Sequence, residues 1–335
     1  MLTTATEKFM REYGLRVPIV QAPTGSIAGP ELAIAVANAG AMGALALTWT
    51  EPEEAARLVK QVRAGTDGPF LANFALAFPP LALDAALDAG VPVVTFSWGD
   101  AAPYVERVHA AGAKVGVQVT NFSGALYARS CGADFLICQG VEAGGHVQSS
   151  TALADILPPI TKLLKDLPVI AAGGIATGNQ IATVMANGAA AASLGTRFVA
   201  TQESRAHSGY KGLLRSSETA DTAPKETALT VCFQGGWPYA AHRVLRNGTL
   251  NAWEAAGSPP VGQRPGEGEI IAHTADGEPI FRYDDTAPRE GMTGNLWNMC
   301  LYAGTGVSAI TDIPPAAELI ARLWQDAQNA QGQDV

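Results

Sequence analysis

One short unit recurs along about the first 200 residues, and it constrains the fold more than any other feature of the sequence. A helical stretch ends in Ala-Gly or a similar pair, and a short apolar strand follows at once. Glycine suits the end of each helix because it adopts the left-handed conformation without strain, so the chain can turn directly into a strand. The clearest pairs are Ala39-Gly40, Ala89-Gly90, Ala111-Gly112, Cys131-Gly132 and Asn187-Gly188.

The strands of this repeat are nearly continuous apolar runs, which predicts that both of their faces are covered, as in a parallel sheet flanked by helices. Eight βα units at this spacing predict an α/β fold of the (β/α)8 TIM-barrel type. A doubly wound open sheet is the rival, but Ala22-Pro-Thr-Gly-Ser after the first strand does not match its Gly-rich dinucleotide loop. The predicted strands are Val17–Ala22, Met42–Leu47, Phe70–Phe74, Pro92–Phe96, Lys114–Val119, Asp134–Gln139, Pro168–Ala172 and Ala190–Leu194.

The pattern changes after about residue 200. Ser208–Glu290 holds few strand-like runs and many Gly, Pro and polar residues, with helices predicted near Ala228–Phe233 and Tyr239–Asn247. A last amphipathic helix is predicted at Pro314–Gln328. We therefore expect a TIM-barrel domain from residues 1–205 and 300–335, and an inserted cap region from 206–299 between strand eight and the final helix. The cap would lie over the C-terminal mouth of the barrel, where barrel enzymes place their active sites.

Composition excludes several classes of function. The net charge of −9 and the lack of a basic stripe argue against a nucleic-acid partner. No run of about 18 apolar residues predicts a membrane span, and the four cysteines form no C-x-x-C pair. We expect a reduced, cytoplasmic chain with no membrane partner. No H-E-x-x-H or other clustered spacing predicts a metal.

Two glycine motifs fall where a barrel forms a phosphate site, in the loops after strands seven and eight. Ala171-Ala-Gly-Gly-Ile175 ends strand seven, and Gly195-Thr-Arg-Phe198 ends strand eight. Glycine lets backbone N–H groups approach an anion closely, and a helix N-terminus adds a favourable dipole. The alternative is that each is an ordinary tight turn, but the two motifs occurring together favour a phosphate site.

A third motif, Gln139-Gly-Val-Glu-Ala-Gly-Gly-His146, leaves strand six. Its glycine pair would let a planar ring lie close to the backbone, and His146 would project at the barrel mouth. A loop histidine is more often a surface residue than a catalytic one, but the position of His146 beside the phosphate loops favours a catalytic role.

These motifs, together with Pro18-Ile-Val-Gln-Ala-Pro23, resemble the nitronate monooxygenase (2-nitropropane dioxygenase) family. Related flavin reductases, including FMN-dependent enoyl-acyl-carrier-protein reductases, share them. The resemblance covers most of residues 10–310, and Glu-Ala-Gly-Gly-His is specific to the superfamily rather than to one activity. Strand one leads into Ala-Pro-Thr where many relatives have Ala-Pro-Met, so the ring contacts there are expected to differ.

The resemblance implies FMN as cofactor, with its ring above the barrel. Asn73 and Gln118 would hydrogen-bond the polar edge of the flavin, although buried polar side chains can also have purely structural partners. Gly144 and Gly145 would approach the cofactor. The ring would be bordered by Ala22, Pro23 and Thr24, and the phosphate end would be held by Ala172, Gly173, Gly174, Gly195 and Thr196.

By the same resemblance, His146 is the active-site histidine. It could remove an α-proton from a nitroalkane as a neutral base, or hold an anionic nitronate as a hydrogen-bond donor or cation. Trp98 and Tyr302 are candidates for the substrate pocket, with core packing as the alternative. Gly294–Gly306 resembles the family's late Gly-rich element, which would return the chain to the barrel mouth. Ordinary surface roles are expected for the other histidines, His109, His207, His242 and His273.

The implied reaction is the oxidation of an alkyl nitronate or nitroalkane with oxygen, which yields a carbonyl compound and nitrite. The alternatives are an NAD(P)H-dependent FMN reductase acting on quinones or enoyl thioesters, and a flavin-binding barrel without turnover. The sequence leaves open whether the chain forms a homodimer. The net charge of −9 disfavours an acidic acyl-carrier-protein partner.

Overall fold

Eight parallel strands form a barrel, which confirms the predicted TIM-barrel fold. The computed structural model describes residues 3–215, 226–234, 237 and 240–332. All eight predicted strands are present, at β1 (Ile19–Gln21), β2 (Gly43–Ala46), β3 (Phe70–Ala75), β4 (Val93–Ser97), β5 (Lys114–Val119), β6 (Phe135–Gln139), β8 (Val169–Ala172) and β9 (Ala191–Leu194). A short strand outside the barrel, β7 (Gly145–His146), lies between β6 and β8 in the chain.

The ring closes between the first two strands. The remaining pairs run β1-β9-β8-β6-β5-β4-β3-β2, and a parallel bridge joins Val20 to Met42. The Gln21 N–H donates to the Met42 carbonyl at 2.8 Å. Because every strand is parallel, all eight carboxyl ends meet at one mouth of the barrel.

Helices alternate with these strands, as the repeat predicts. The five repeat glycines all have φ between 79° and 92°, the left-handed region that a glycine C-cap requires. Helices α2 and α3 each have a proline in the first turn. The first N–H groups of a helix have no hydrogen-bond partner within the helix, so proline, which lacks an N–H, loses no hydrogen bond there. The helices around the barrel are α2 (Pro30–Asn38), α3 (Pro52–Gly65), α4 (Leu83–Asp88), α5 (Ala102–Ala110), α6 (Phe122–Ser130), α7 (Leu153–Leu163) and α8 (Gly178–Ala186).

An N-terminal helix, α1 (Thr4–Tyr13), precedes the first strand and was not predicted. Thr3 caps its start, and Gly14 ends it with φ of 68°. Phe9 and Tyr13 pack edge-on against Phe135, at ring-centroid distances of 5.8 and 5.4 Å. This aromatic contact covers the N-terminal ends of the strands, so the opposite mouth is the open end of the barrel.

Residues 206–299 contain more β-structure than the sequence analysis predicted. Two short helices, α9 (Thr196–Val199) and α10 (Ser208–Arg215), follow the barrel, and α11 (Gly248–Ala255) lies further on. Five further strands are β10 (Thr227–Thr230), β11 (His242–Leu245), β12 (Ile270–His273), β13 (Pro279–Phe281) and β14 (Thr293–Gly294). Together with β7 they form two three-stranded sheets, with the orders β10-β11-β7 and β13-β12-β14.

The helices predicted near Ala228–Phe233 and Tyr239–Asn247 are therefore wrong, with Tyr239 itself outside the described residues. These segments form the antiparallel pair β10–β11, with Ala228 opposite Val244. Short apolar runs fit either a helix or a strand, and here β-branched residues and cross-strand pairing favour the strand.

The final helix, α12 (Ala316–Gly332), confirms the predicted last helix. It packs between α8 and α2, and so takes the place of the eighth barrel helix. The close approach uses Gly178, where a Cβ would lie 2.4 Å from the Asp326 Cβ. No described helix is long and apolar enough to cross a membrane.

We predict that Gly43→Ala destabilises the barrel by about 1–3 kcal/mol, the usual cost of overpacking. A Cβ at this position would lie 2.3 Å from the backbone oxygen of Ala33 in α2. Because this oxygen belongs to the helix backbone, it cannot rotate away as a side chain could. Gly212→Ala is the matched control, since its Cβ would meet nothing within 4 Å and alanine favours a helix. Urea denaturation measures both; equal free energies of unfolding would contradict this account of helix–strand packing.

Candidate active site

One cavity of about 560 Å³ opens at the C-terminal mouth of the barrel, within the size range of small-molecule sites. Its walls come from the ends of the barrel strands and from residues of the 206–299 region. All fifteen predicted site residues line it: Ala22, Pro23, Thr24, Asn73, Trp98, Gln118, Gly144, Gly145, His146, Ala172, Gly173, Gly174, Gly195, Thr196 and Tyr302. The structure thus brings together residues that the sequence spreads over 281 positions, from 22 to 302.

The two glycine loops lie side by side at one end of this cavity. Gly173 and Gly174 follow β8 with φ of 121° and 69°, conformations that other residues rarely adopt. Gly195 follows β9, next to Thr196 at the start of α9. The Thr196 hydroxyl oxygen accepts the Gly304 N–H at 2.9 Å, so its own proton remains available to donate to a ligand. The geometry therefore suits an anionic group such as a phosphate.

The loop from Gln139 to His146 is fixed by contacts at several points. The Glu142 carboxylate accepts the Leu153 N–H at 3.0 Å, and the Glu142 carbonyl accepts the Thr305 N–H at 3.0 Å. A Cβ on Gly144 would lie 2.3 Å from the Gly304 nitrogen. The late Gly-rich element does return to the barrel mouth, where it packs against this loop.

His146 lies in β7, which pairs with β11 of the 206–299 region. The register places His146 opposite His242 and Gly145 opposite Arg243. The imidazole stacks on Trp237 at a centroid distance of 4.3 Å and an interplanar angle of 26°. Burial, together with a smaller contribution from the nearby His242, lowers the pKa of His146 to about 3. The ring is therefore neutral at ordinary pH.

His242 is not the surface residue that the sequence analysis predicted. Its side chain is fully buried, with Nδ1 donating to the Ala240 carbonyl at 3.0 Å and Nε2 accepting the Phe233 N–H at 3.3 Å. Burial lowers its pKa, opposed by the bond to Ala240. The wrong helix prediction explains the error, because a strand over His242–Leu245 would have placed His242 and Val244 on the same face.

The predicted surface role of His109 agrees with its place, since this half-exposed ring contacts Asp134 at 2.7 Å. His273 is exposed and His207 is partly buried. None of these three lines the cavity.

Three glutamines form a hydrogen-bonded chain beneath the His146 loop. Gln148 Oε1 accepts from Gln118 Nε2 at 2.8 Å and from the Trp98 N–H at 3.2 Å. The Gln148 N–H donates in turn to Gln139 Oε1 at 2.9 Å. Trp98 has φ of 61°, an uncommon value for a bulky residue. The glutamine chain holds this strained residue at the cavity edge.

The predicted polar pair Asn73 and Gln118 both have structural partners. Asn73 Nδ2 donates to the Thr95 hydroxyl at 3.1 Å, and Gln118 Nε2 is used by Gln148. Both residues line the cavity. Among the described residues neither amide oxygen has a hydrogen-bond partner, so both oxygens remain available to accept from a ligand.

Tyr302 contributes its ring rather than its hydroxyl. The hydroxyl donates to the Asp285 carbonyl at 2.9 Å, and the ring lies 5.7 Å from the His146 ring. The Tyr302 carbonyl accepts from the Tyr210 hydroxyl. Tyr302 therefore both packs against a buried cluster and lines the cavity.

Two buried polar atoms in the cavity wall have no partner among the described residues, Thr24 Oγ1 and Arg289 Nε. Buried polar atoms are normally hydrogen-bonded, so such orphans in a cavity indicate a polar ligand. Arg289 is the one Arg or Lys among the described lining residues. Arg289, Trp237 and Gln148 were not predicted, because nothing in their local sequence marks them as site residues. No group of His, Cys, Asp or Glu in the described part of the chain could hold a metal ion.

Comparison with known proteins gives a consistent result. A model of the nitronate monooxygenase family matches residues 7–85 and 81–326. A nitronate monooxygenase of Pseudomonas aeruginosa is 30% identical, with 96% of this chain and 99% of that protein covered. The structure of FabK from Thermotoga maritima has a TM-score of 0.79 and 26% identity, covering 97% of both chains. A nitroalkane oxidase from Streptomyces ansochromogenes has a TM-score of 0.76 and 29% identity, covering 96% of this chain and 98% of that one.

We predict that His146→Gln makes the protein less sensitive to acid. The unfolded chain binds a proton at His146 near pH 6.5 and the folded chain only near pH 3, so the free energy of unfolding falls as pH decreases between these values. One such group contributes on the order of 1 kcal/mol per pH unit. Urea denaturation from pH 7 to 4 should give a shallower fall for His146→Gln, and an unchanged fall for His273→Gln. Identical slopes for all three proteins would refute a buried, neutral His146.

Gln148→Leu should cost about 1–3 kcal/mol, because it leaves the Trp98 N–H and the Gln118 amide without an acceptor in a partly buried site. Gln328→Leu on the exposed face of α12 should change stability by less than about 0.5 kcal/mol. Thermal unfolding compares the two variants, and equal melting temperatures would rule out a structural role for the glutamine chain.

Proposed function

The chain belongs to the nitronate monooxygenase family, and from this premise we propose that it is an FMN-dependent oxidoreductase that oxidises alkyl nitronates with oxygen to a carbonyl compound and nitrite. The observation that carries the proposal is that the glycine loops, the two amide side chains and His146 line one cavity. Its partners would be a nitronate or nitroalkane and oxygen. The cytoplasmic location of the protein and its possible assembly as a homodimer are predictions from the sequence alone.

The cavity residues fit FMN at both of its ends. Backbone N–H groups near Gly173, Gly174 and Gly195 and the Thr196 hydroxyl would hold the phosphate. The free amide oxygens of Asn73 and Gln118 would accept from the flavin's polar edge. The orphaned Thr24 hydroxyl, Ala22 and Pro23 would border the ring, with Ala172, Gly144 and Gly145 allowing close approach. When bound, FMN accepts electrons from the substrate, and the protein supplies position and electrostatics.

His146 acts in its neutral form, because burial holds its pKa far below ordinary pH. A neutral imidazole can remove the α-proton of a nitroalkane or donate one hydrogen bond to a nitronate oxygen. The lowered pKa argues against the cationic form of the second predicted role, an imidazolium that pairs with the anion. Stacking on Trp237 fixes the ring plane, and the pairing of β7 with β11 fixes the backbone behind it.

Positive charge for an anionic ligand would come from Arg289 rather than from His146. Arg289 contributes a guanidinium group that can bind oxyanions through several N–H donors, and its Nε has no hydrogen-bond partner among the described residues. Asp285 lines the same cavity, so the charges there are mixed. Arg289 would favour anionic nitronates over neutral nitroalkanes at the step of binding.

Oxygen uptake by the FMN-loaded protein with ethyl nitronate, in the absence of NAD(P)H, tests the proposal. We expect rapid uptake with nitrite release. If flavin-loaded protein shows none, the proposal is wrong. NAD(P)H oxidation with a quinone or an enoyl thioester would then identify the reductase alternative, and its absence would leave a flavin-binding barrel without turnover.

His146→Ala should keep FMN and lose activity toward neutral nitroethane by about 100-fold or more, the usual contribution of a general base. The loss with preformed ethyl nitronate should be smaller, because that substrate needs no proton removed. His109→Ala, a histidine outside the cavity, is the control. Steady-state kcat/KM for both substrates measures the difference, and full activity of His146→Ala toward nitroethane would remove this residue from the reaction.

A further inference from the structure

Four aromatic side chains stand together at one edge of the cavity, and we call Trp49, Phe78, Trp98 and Trp237 the aromatic wall. The first three follow the consecutive strands β2, β3 and β4, and Trp237 comes from the 206–299 region. Trp49 lies 5.3 Å from Phe78, Phe78 lies 5.4 Å from Trp237, and Trp98 lies 4.6 Å from Trp237, measured between ring centroids. Interplanar angles of 65° to 78° make these edge-to-face contacts, a favourable arrangement of aromatic rings.

The wall extends from the protein surface to the active-site histidine. At its outer end Trp49 is 61% exposed. At its inner end Trp237 stacks on the His146 ring. Trp49, Trp98 and Trp237 all line the cavity. An apolar surface that continues from solvent into a cavity is typical of a ligand-binding site. Trp237 also positions His146, but neither the phosphate loops nor the chemistry of His146 requires Trp49, Phe78 or Trp98.

The backbone at Trp98 adds an independent observation. Its φ of 61° is strained for a large side chain, and such strain concentrates at functional sites. The Gln148 side chain accepts the Trp98 N–H at 3.2 Å and so holds the residue in this conformation. The ring is thereby kept against Trp237 and 6.2 Å from His146. A residue that only filled the core would not need this geometry at the cavity edge.

We propose that the aromatic wall is a substrate subsite, and that the preferred nitro compound carries an aromatic ring or a planar apolar group of similar size. This inference rests on the proposed function, since it assumes that the substrate reaches His146. The wall itself carries no charged group, so recognition would come from ring–ring contact and the removal of apolar surface from water. A short nitroalkane would leave most of the wall uncovered.

Binding is tested with two nitro compounds that lack an α-hydrogen and therefore cannot be converted to nitronates, planar nitrobenzene and the compact 2-methyl-2-nitropropane. Calorimetric titration of the FMN-loaded protein needs no turnover. We expect nitrobenzene to bind about tenfold more tightly, the range that one aromatic pair contributes. Equal affinities would overturn the proposal.

Substitutions of Trp49 test whether the aromatic wall causes the preference for nitrobenzene. Trp49→Ala should remove most of the preference for nitrobenzene while leaving the affinity for 2-methyl-2-nitropropane unchanged, and Trp49→Phe should retain the preference. Trp297→Ala is the matched control, a 49% exposed tryptophan outside the cavity lining. If Trp49→Ala weakens both ligands equally, or if Trp297→Ala has the same effect as Trp49→Ala, the subsite is refuted.

Measurements of turnover distinguish a failure of the proposed subsite from a failure of the proposed function. Wild-type kcat/KM should be about tenfold higher for the nitronate of phenylnitromethane than for ethyl nitronate. Oxidation of both at equal kcat/KM would retain the proposed function and overturn the subsite. If neither nitronate is oxidised but nitrobenzene binding still depends on Trp49, the proposed function is wrong, and the wall is a binding site for aromatic rings rather than a subsite for a nitronate substrate.

Discussion

The two-residue pairing of β7 with β11 is the interaction on which the site depends. It joins the loop after β6 to a sheet of the 206–299 region, with His146 opposite His242. The Val147 N–H extends the pairing by donating to the Ala241 carbonyl at 2.8 Å, and Arg243 donates to the Val141 carbonyl at 2.8 Å. These bonds hold His146 beside Trp237 and away from water, which is what keeps its imidazole neutral.

The other site residues lie near His146 because the barrel strands are parallel. Eight parallel strands end at one mouth, so short polar, glycine and aromatic residues placed just after each strand converge there. Helix α1 fills the opposite end. The 206–299 region adds what the strand ends lack, namely a guanidinium at Arg289 and a ring at Trp237 that stacks on the histidine. The barrel therefore provides the floor of the cavity, and the added region determines the polarity and shape above it.

The sequence predicts the barrel well because its signal is local and repeated, with a glycine at the end of five helices and an apolar run after each of these glycines. The glycine loops and His146 are recognisable for the same reason. His242 and Trp237 are not, because their positions follow from the pairing of β10 with β11 and of β11 with β7, which lies far earlier in the chain. The helices predicted over Ala228–Phe233 and Tyr239–Asn247 failed because a short apolar run fits both periods until cross-strand contacts decide. Gln148 was missed because its role exists only through its contacts with Gln118 and Trp98.

The proposed flavin site depends most on the two glycine loops, which would hold the phosphate of FMN. The most direct measurement is the affinity of the flavin-free protein for FMN and for riboflavin, which differ only in the phosphate. Hydrogen bonds to a charged group contribute about 1.5–3 kcal/mol, so FMN should bind at least about tenfold more tightly than riboflavin. Equal affinity for the two flavins, or binding of neither, would contradict the account.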